Sequence, residues 1–435
     1  MAGSATPTRT VQKTRGLFYG WWMVISAAIL NVFSGASFYY GFTVFFNPIR
    51  ETFNWTAAQT SVAFTFQRLE SGVLGPIAGY FVDRVSPRIL MVGGWIVVGA
   101  GFILLSFIDS LWSFYGIFIL LSVGLSFGSF VVANTAVARW FDKKRSRALA
   151  FIYVGYGFSG SLVPLLALAI KTYTWRPIVL WMGVVMLALG IPLSLLMRGR
   201  PQDYGYLPDG ERPAEPLLTT TATAPARQQA RLQGHTVREA LKTRAFWLVS
   251  FAFLFQQLGT SAVMVHVAPY LESVGFSRTI ASLAVTGVTL CSLIGRLGFG
   301  WLGDLVAKRY LIAASLALQA IGLFIFAFVR VDMAWLLILF FLTYAPGYGG
   351  PIPLRPALQA DYFGTRALGT LMGLMSTVSM IGGLLSPVFA GRVYDVTGRY
   401  QSAWMMIAAA TMPAVLLILM AKPPRQAVPA STVNS

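Results

Sequence analysis

Arg296 lies inside an apolar stretch, Ser282 to Asp304, that is long enough to cross a bilayer. Thr289, Ser292 and Arg296 fall at i, i+3 and i+7, so a helix puts them on one face. A guanidinium at the centre of a membrane helix costs ~3 kcal/mol or more. It persists where it faces a bundle interior or a wet cavity with an anion nearby. Its planar fork of donors matches a carboxylate in two parallel hydrogen bonds. The chemistry on offer is capture of an anionic cargo, against the plainer alternative of an ion pair between helices.

Other polar residues set in apolar runs extend that reading. Arg68 and Glu70, in Phe66-Gln-Arg-Leu-Glu70, are two residues apart and do not share a helix face. Both are candidates for proton coupling. Burial favours the protonated carboxyl of Glu70, and Arg68 suits a second anionic group; the alternative is a polar cluster that pins the helices. His266 runs in a stripe with Gln256, Gly259 and Val263, where it suits either the anion or a proton near neutral pH. Tyr344 and Tyr348 are one turn apart around Ala345-Pro346-Gly347, in a segment of three prolines and three glycines that predicts a bent or broken helix. A tyrosine there gives a short carboxylate an apolar wall with a hydroxyl donor. Asn134 and Tyr40 complete the predicted substrate contacts. Arg355 and Asp361 close the tenth apolar run and read as a gate or loop anchor, since long side chains near a helix end reach for the interface.

The elements that must position these residues follow from composition. Of 435 residues, 56% are hydrophobic and 11% charged, well below the ~25% charged of soluble domains. Twelve apolar runs of about 20 residues or more are long enough to span. They cover 20–46, 57–82, 89–108, 111–138, 147–171, 178–198, 245–271, 280–303, 310–329, 333–359, 367–391 and 401–421. The first follows a basic start (Arg9, Lys13, Arg15) without a short apolar core and small-residue cleavage site, so it reads as a membrane helix and not a removed signal. A polar stretch, 199–244, divides the chain into an N-terminal bundle, 1–198, and a C-terminal bundle with tail, 245–435. It reads mostly as a flexible linker, ending in a short helix begun by the capping box Thr236-Val-Arg-Glu239. Cys291 is the single cysteine, so no disulfide forms within the chain.

Of 33 Lys and Arg, 23 fall on the side holding both termini, 7 on the other and 3 within spans. The positive-inside rule puts both termini in the cytoplasm, in a plasma (inner) membrane. The net charge of +18 is thus topological, and no basic domain for nucleic acid is present.

The halves also repeat. Gly79-Tyr-Phe-Val-Asp83 ends the second run and Gly300-Trp-Leu-Gly-Asp304 the eighth, with the aspartates 221 apart. Phe141 and Phe363, Pro164 and Pro387, Arg176 and Arg399, and Trp181 and Trp404 keep offsets of 222 or 223. Two parallel six-helix halves around a midplane site predict an all-α membrane protein of twelve helices. Gly79-Tyr-Phe-Val-Asp83-Arg84-Val-Ser-Pro-Arg88 resembles the loop motif of the major facilitator superfamily, with Ser86 where glycine is usual. Tyr19-Gly-Trp-Trp-Met-Val24 and Trp140-Phe-Asp-Lys-Lys-Arg-Ser-Arg-Ala-Leu-Ala150 resemble its monocarboxylate-porter branch and the related oxalate:formate antiporters. The resemblance implies that Arg296 holds a substrate carboxylate and that Asp83, Arg84 and Asp304 form a cytoplasmic gate. Many proton-coupled members have an aspartate one turn before that arginine; Ser292 stands there instead, which points to antiport or to a proton carried elsewhere.

No metal-spaced His/Cys cluster, no nucleophile with a base at motif spacing and no Walker-type phosphate loop occurs. Neither an enzyme nor an ATP-driven pump is indicated, and no cofactor or metal is expected. The sequence reads as a secondary transporter of small organic monocarboxylates, lactate- or pyruvate-like, by rocker-switch alternating access driven by a proton or a counter-anion. An oxalate/formate or other dicarboxylate antiporter, a hydrophobe exporter, and a non-transporting anion sensor on the same fold are the alternatives.

Overall fold

The computed structural model describes residues 12–13, 17–39, 41–56, 59–60, 62, 70–212 and 234–424. Tyr40 and Arg68 lie outside them, and of Glu70 only the backbone is described. Seventeen α-helices follow in chain order among the described residues. They are α1 Tyr19–Ser34, α2 Phe42–Phe53, α3 Gly75–Val82, α4 Pro87–Leu105, α5 Leu111–Gly128, α6 Phe130–Trp140, α7 Arg145–Phe158, α8 Val163–Tyr173 and α9 Trp175–Leu195, then α10 Val237–Leu241, α11 Arg244–Ser273, α12 Arg278–Leu302, α13 Lys308–Phe326, α14 Trp335–Gly349, α15 Pro351–Phe363, α16 Leu368–Thr397 and α17 Gln401–Met420. A two-residue antiparallel pairing of Gln12–Lys13 with Glu211–Arg212 is the only named strand pair among these residues.

Eleven helical stretches among the described residues are long and apolar enough to cross a membrane, and the shorter apolar helix Gly72–Val82 lies in the second of the twelve predicted runs. Several stretches outrun their apolar windows. The first reaches Phe53 and the tenth Thr397; Arg50, Glu51, Arg392 and Asp395 near their ends close the apolar windows but not the helices. Ser110 with Ser113, and Thr236 with Glu239, form reciprocal caps, the latter as its spacing predicts. Backbone N–H and side-chain bonds to Thr236 hold the Glu239 carboxyl below its usual range.

Interruptions fall inside several of the apolar runs. Helix α1 passes into a π turn at Gly35–Tyr39, and a second π turn, Glu70–Leu74, leads into α3. The fourth span breaks at Ser129, where φ −130° and ψ −131° leave the helix, and the Trp95 indole N–H donates to the freed Gly128 carbonyl at 2.8 Å. The tenth span is interrupted as expected, between α14 and α15. Gly350 keeps helical dihedrals, so the cause is the missing N–H groups of the prolines rather than unwinding.

Each half has its own core. Trp95, Trp140, Phe114 and Phe118 are buried in the first, and Phe326, Phe340, Tyr270 and Trp404 in the second. Glycines let the helices approach. A Cβ at Gly79 would collide with the Gly369 carbonyl, and one at Gly373 would lie 2.5 Å from the Gly75 oxygen, so α3 and α16 cross backbone to backbone between the halves.

The stretch 199–244 departs from a flexible linker at its described ends. Pro201–Tyr204 and Pro208–Gly210 form 3-10 turns, and Arg198 stacks over the rings of Tyr19 and Tyr204 at 3.7 and 4.5 Å. The Asp209 carboxylate accepts from the backbone N–H groups of Asp142, Lys143 and Lys144 at 3.1, 2.7 and 3.2 Å. Aromatic rings and one carboxylate outweigh the disorder that the composition suggests.

Two glycines test the packing. A Cβ at Gly322 would lie 2.6 Å from the Tyr344 Cβ and N, whereas one at Gly93 meets nothing within 4 Å. Gly322→Ala should destabilise the detergent-solubilised protein by about 1–3 kcal/mol, and Gly93→Ala should leave it equal or slightly more stable, as read from thermal unfolding midpoints.

Candidate functional site

A cavity of about 270 Å³ lies between the halves. Its wall takes Asn134 from α6, Tyr153 from α7, Gln256 and Thr260 from α11, Tyr348 from α14, Arg355 from α15 and Ser376 from α16. The volume falls just below the ~300–1,000 Å³ of sites for drug-sized ligands, which suits a cargo of few heavy atoms.

Arg355 brings the only formal charge among the described lining residues. Its guanidinium sits 4.6 Å above the Phe253 ring, and its Nη2 reaches the Ser376 hydroxyl at 3.5 Å. No carboxylate pairs with it among the described residues. This corrects the expectation of a gate or loop anchor. The apolar window ends at 359, four residues past Arg355, but α15 continues to Phe363 and so leaves Arg355 about 12 Å above the helix end.

Arg296 lies behind the wall, 1% exposed. Its Nη1 donates to the Tyr153 carbonyl across the two halves at 2.8 Å, and its Nε has no partner. Gly157 makes room for it, since a Cβ there would come within 3.2 Å of Nη1. Ser292 turns its hydroxyl onto the Thr289 carbonyl at 2.6 Å and Thr289 onto Val285, so the polar stripe of α12 is spent on its own backbone.

Tyr153 joins the groups. Its hydroxyl receives the Asn134 Nδ2 at 2.6 Å, its carbonyl receives Arg296, and its ring stacks on Phe130 at 5.8 Å. The sequence reading did not single it out. The available signal was a tyrosine within Tyr153-Val-Gly-Tyr-Gly157, whose glycines let a neighbouring helix close on it.

The predicted contacts therefore divide. Asn134 and Tyr348 line the cavity with Arg296 just behind. Tyr344 is buried away from it, stacked on Phe340 at 4.9 Å with its hydroxyl 3.4 Å from the Gly259 carbonyl. His266 stands apart among α11, α16 and α17. Its Nε2 lies 2.9 Å from the Pro387 carbonyl and its Nδ1 3.3 Å from the Tyr400 hydroxyl. The carbonyl takes a proton from Nε2, so the neutral ring is satisfied on both nitrogens. Tyr40 and Arg68 fall outside the described residues, as does the Glu70 side chain.

On the side of the linker the cavity is closed. Ala138, Ala360, Leu368 and Met372 pack into an apolar plug beneath it. Around the plug run two reciprocal latches. Asp83, at the end of α3, accepts from the N–H groups of Gly369 and Thr370 at 3.1 and 2.9 Å and pairs with Arg139 at 2.8 Å. Asp304, at the end of α12, accepts from the N–H groups of Ser146 and Arg147 at 2.9 and 3.4 Å and pairs with Arg147 at 3.1 Å. Each aspartate thus caps the first turn of a helix in the other half, where the helix dipole favours an anion. Burial pushes the Asp304 carboxyl up, against the pull of those N–H groups and Arg147. Asp361 adds a third tie, to Arg145 of α7 and to Lys308 at 2.6 Å. Arg84 takes no part. It folds over the Tyr80 ring at 3.5 Å and donates to the Tyr80 carbonyl on its own helix.

The latches predict a measurable opening. Asp304→Ala removes a cap worth about 1–2 kcal/mol, a ~5–30-fold change in the closed-to-open ratio. In a Cys291→Ser background carrying Met372→Cys, labelling by an impermeant maleimide from the linker side should quicken by that factor. An unchanged rate would show that Asp304 does not hold the closure.

Comparison with known proteins agrees with this architecture. A family model described as Major Facilitator Superfamily matches residues 24–277 and 249–434. The oxalate:formate antiporter of Oxalobacter formigenes is 25% identical over 88% of this chain and 88% of its own. Monocarboxylate transporter 13 of Rattus norvegicus is 25% identical over 92% of this chain and 88% of its own. Among solved structures, the fucose transporter FucP in the outward conformation aligns at a TM-score of 0.71 and 15% identity, covering 93% of this chain and 99% of that one. The proton:xylose symporter XylE aligns at 0.72 and 14%, covering 93% and 96%.

Proposed function

The chain belongs to the Major Facilitator Superfamily, as a multi-pass membrane protein, and we propose that it carries small organic monocarboxylates, lactate- or pyruvate-like, by rocker-switch alternating access. One observation carries the reading: the cavity between the halves has Arg355 in its wall and Arg296 behind it, with no carboxylate facing either among the described residues. A guanidinium held in that way calls for an anion from outside the protein. The relatives named as monocarboxylate transporters and as an oxalate:formate antiporter support a carboxylate as that anion.

The Lys and Arg distribution supports both termini and the linker on the cytoplasmic side of a plasma (inner) membrane. The latched side is then the cytoplasmic one, and cargo enters from the opposite face. Binding neutralises the buried charge, so the loaded carrier reorients more readily than the empty one. The driving force is a gradient of protons or of a counter-anion. With Ser292 one turn before Arg296 and both His266 nitrogens engaged, exchange is the simpler scheme and Glu70 the remaining proton carrier. The two halves, 1–198 and 245–435, are the moving bodies.

A second reading, exchange of oxalate, formate or another dicarboxylate, is favoured by a second arginine, Arg296, behind the wall that holds Arg355. Reconstituted vesicles separate the readings. Lactate uptake should require either an inward proton gradient or an internal anion. Arg296→Lys and Arg355→Gln should each lower it by ~10-fold or more, the loss of one charge-assisted hydrogen-bond pair. Selective loss of oxalate uptake in Arg355→Gln, with lactate unaffected, would favour the dicarboxylate. Wild-type vesicles that take up no lactate, pyruvate, formate or oxalate under either gradient would remove the carboxylate assignment.

A further inference from the structure

The pair Asn134 and Tyr153 asks for more than a carboxylate. Asn134 is 1% exposed, lines the cavity, and leaves its Oδ1 buried without a partner. Its Nδ2 donates to the Tyr153 hydroxyl at 2.6 Å. A primary amide has an accepting oxygen and a donating NH2, and a phenol has one donor and a lone pair. Their mutual bond uses one donor and one acceptor. What remains is the phenol proton and the second amide N–H as donors and Oδ1 as acceptor. With the amide nitrogen on the phenol, the pair keeps two spare donors and one spare buried acceptor, Oδ1, beside the cavity.

An ionised carboxylate accepts only. Formate, acetate, oxalate and pyruvate satisfy the donors and leave the buried acceptor empty, which is the costly half of the arrangement. A hydroxyl on the carbon beside the carboxylate supplies the missing donor. Arg355, in the same wall and without a carboxylate partner among the described residues, is the group for the carboxylate itself.

We propose that Asn134 and Tyr153 form a hydroxyl-reading subsite that selects 2-hydroxycarboxylates over their deoxy and keto counterparts. The inference rests on the carboxylate-carrier reading and narrows it. Sites that hydrogen-bond a substrate hydroxyl discriminate strongly against analogues lacking it, because their own polar groups are left unpaired.

Uptake of labelled glycolate, acetate, L-lactate, propionate and pyruvate into vesicles holding the full chain tests it. Glycolate should be taken up over acetate, and lactate over propionate and pyruvate, by ~10-fold or more in kcat/KM. Asn134→Ala and Tyr153→Phe should each bring the lactate-to-propionate ratio to within about twofold of one. The ratio is taken within one vesicle preparation, so it does not depend on how much variant protein folds. If Asn134→Ala fails to fold altogether, Tyr153→Phe decides alone. Equal uptake of hydroxy and deoxy acids by wild type, or a ratio unchanged in the variants, overturns the subsite while the carboxylate carrier stands. No uptake of any of these acids by wild type overturns both.

Discussion

A positive charge cannot rest in low dielectric without an answering group, and the middle of this molecule is arranged around two that have no carboxylate to answer them among the described residues. Arg296 is quieted by a backbone carbonyl and Arg355 by an aromatic face and a hydroxyl. Neither arrangement neutralises a unit charge. The Tyr153 carbonyl that receives Arg296 belongs to the opposite half, so the same contact quiets the charge and ties the halves together. An anion that takes over Arg296 would free that carbonyl and loosen one tie. Capture of an anion at Arg296 and separation of the halves would both act on that one hydrogen bond.

The layout of the helices was legible because hydropathy and helix length are set by the same bilayer. Twelve runs, a central polar break and a constant offset need only counting. The repeat also located Asp83 and Asp304 as equivalent, and they do equivalent work. The offset says less about environment. Trp181 and Trp404 align in sequence, yet Trp181 is 63% exposed and Trp404 is buried in the second core. The repeat preserves position along the chain, while the rotation of each helix is settled by its neighbours.

The site was legible where a residue was costly and obscure where it was common. Arg296 stands out because few arrangements tolerate it. Tyr153 does not, because one tyrosine among 17 carries no penalty that marks it. Tyr344 and Tyr348, one turn apart, show the limit of helical phase. Four steps of 100° bring the helix back to within about 40° of the same face, so the rings stack on each other at 6.2 Å, and the rise of about 6 Å along the axis is what leaves Tyr348 in the cavity wall and Tyr344 in the packed core. His266 was attractive for its place in a stripe with Gln256, but a carbonyl and a hydroxyl take both of its nitrogens. Arg355 was assigned by its distance from the end of an apolar window, and the helix did not stop where the window did.

The latches have one more property. Their acidic halves are side chains, and beside the side chains of Arg139, Arg147 and Thr370 their receiving halves include the main-chain N–H groups of Gly369, Thr370, Ser146 and Arg147. A main-chain N–H is common to every residue except proline. Ser146 serves Asp304 through its main chain, so that position can drift, so long as size permits, and still complete its share of the closure. An inventory of tolerated substitutions would mark Asp83, Asp304 and their arginines as exacting and pass over Ser146 almost in silence. Part of this lock is written in no particular letter.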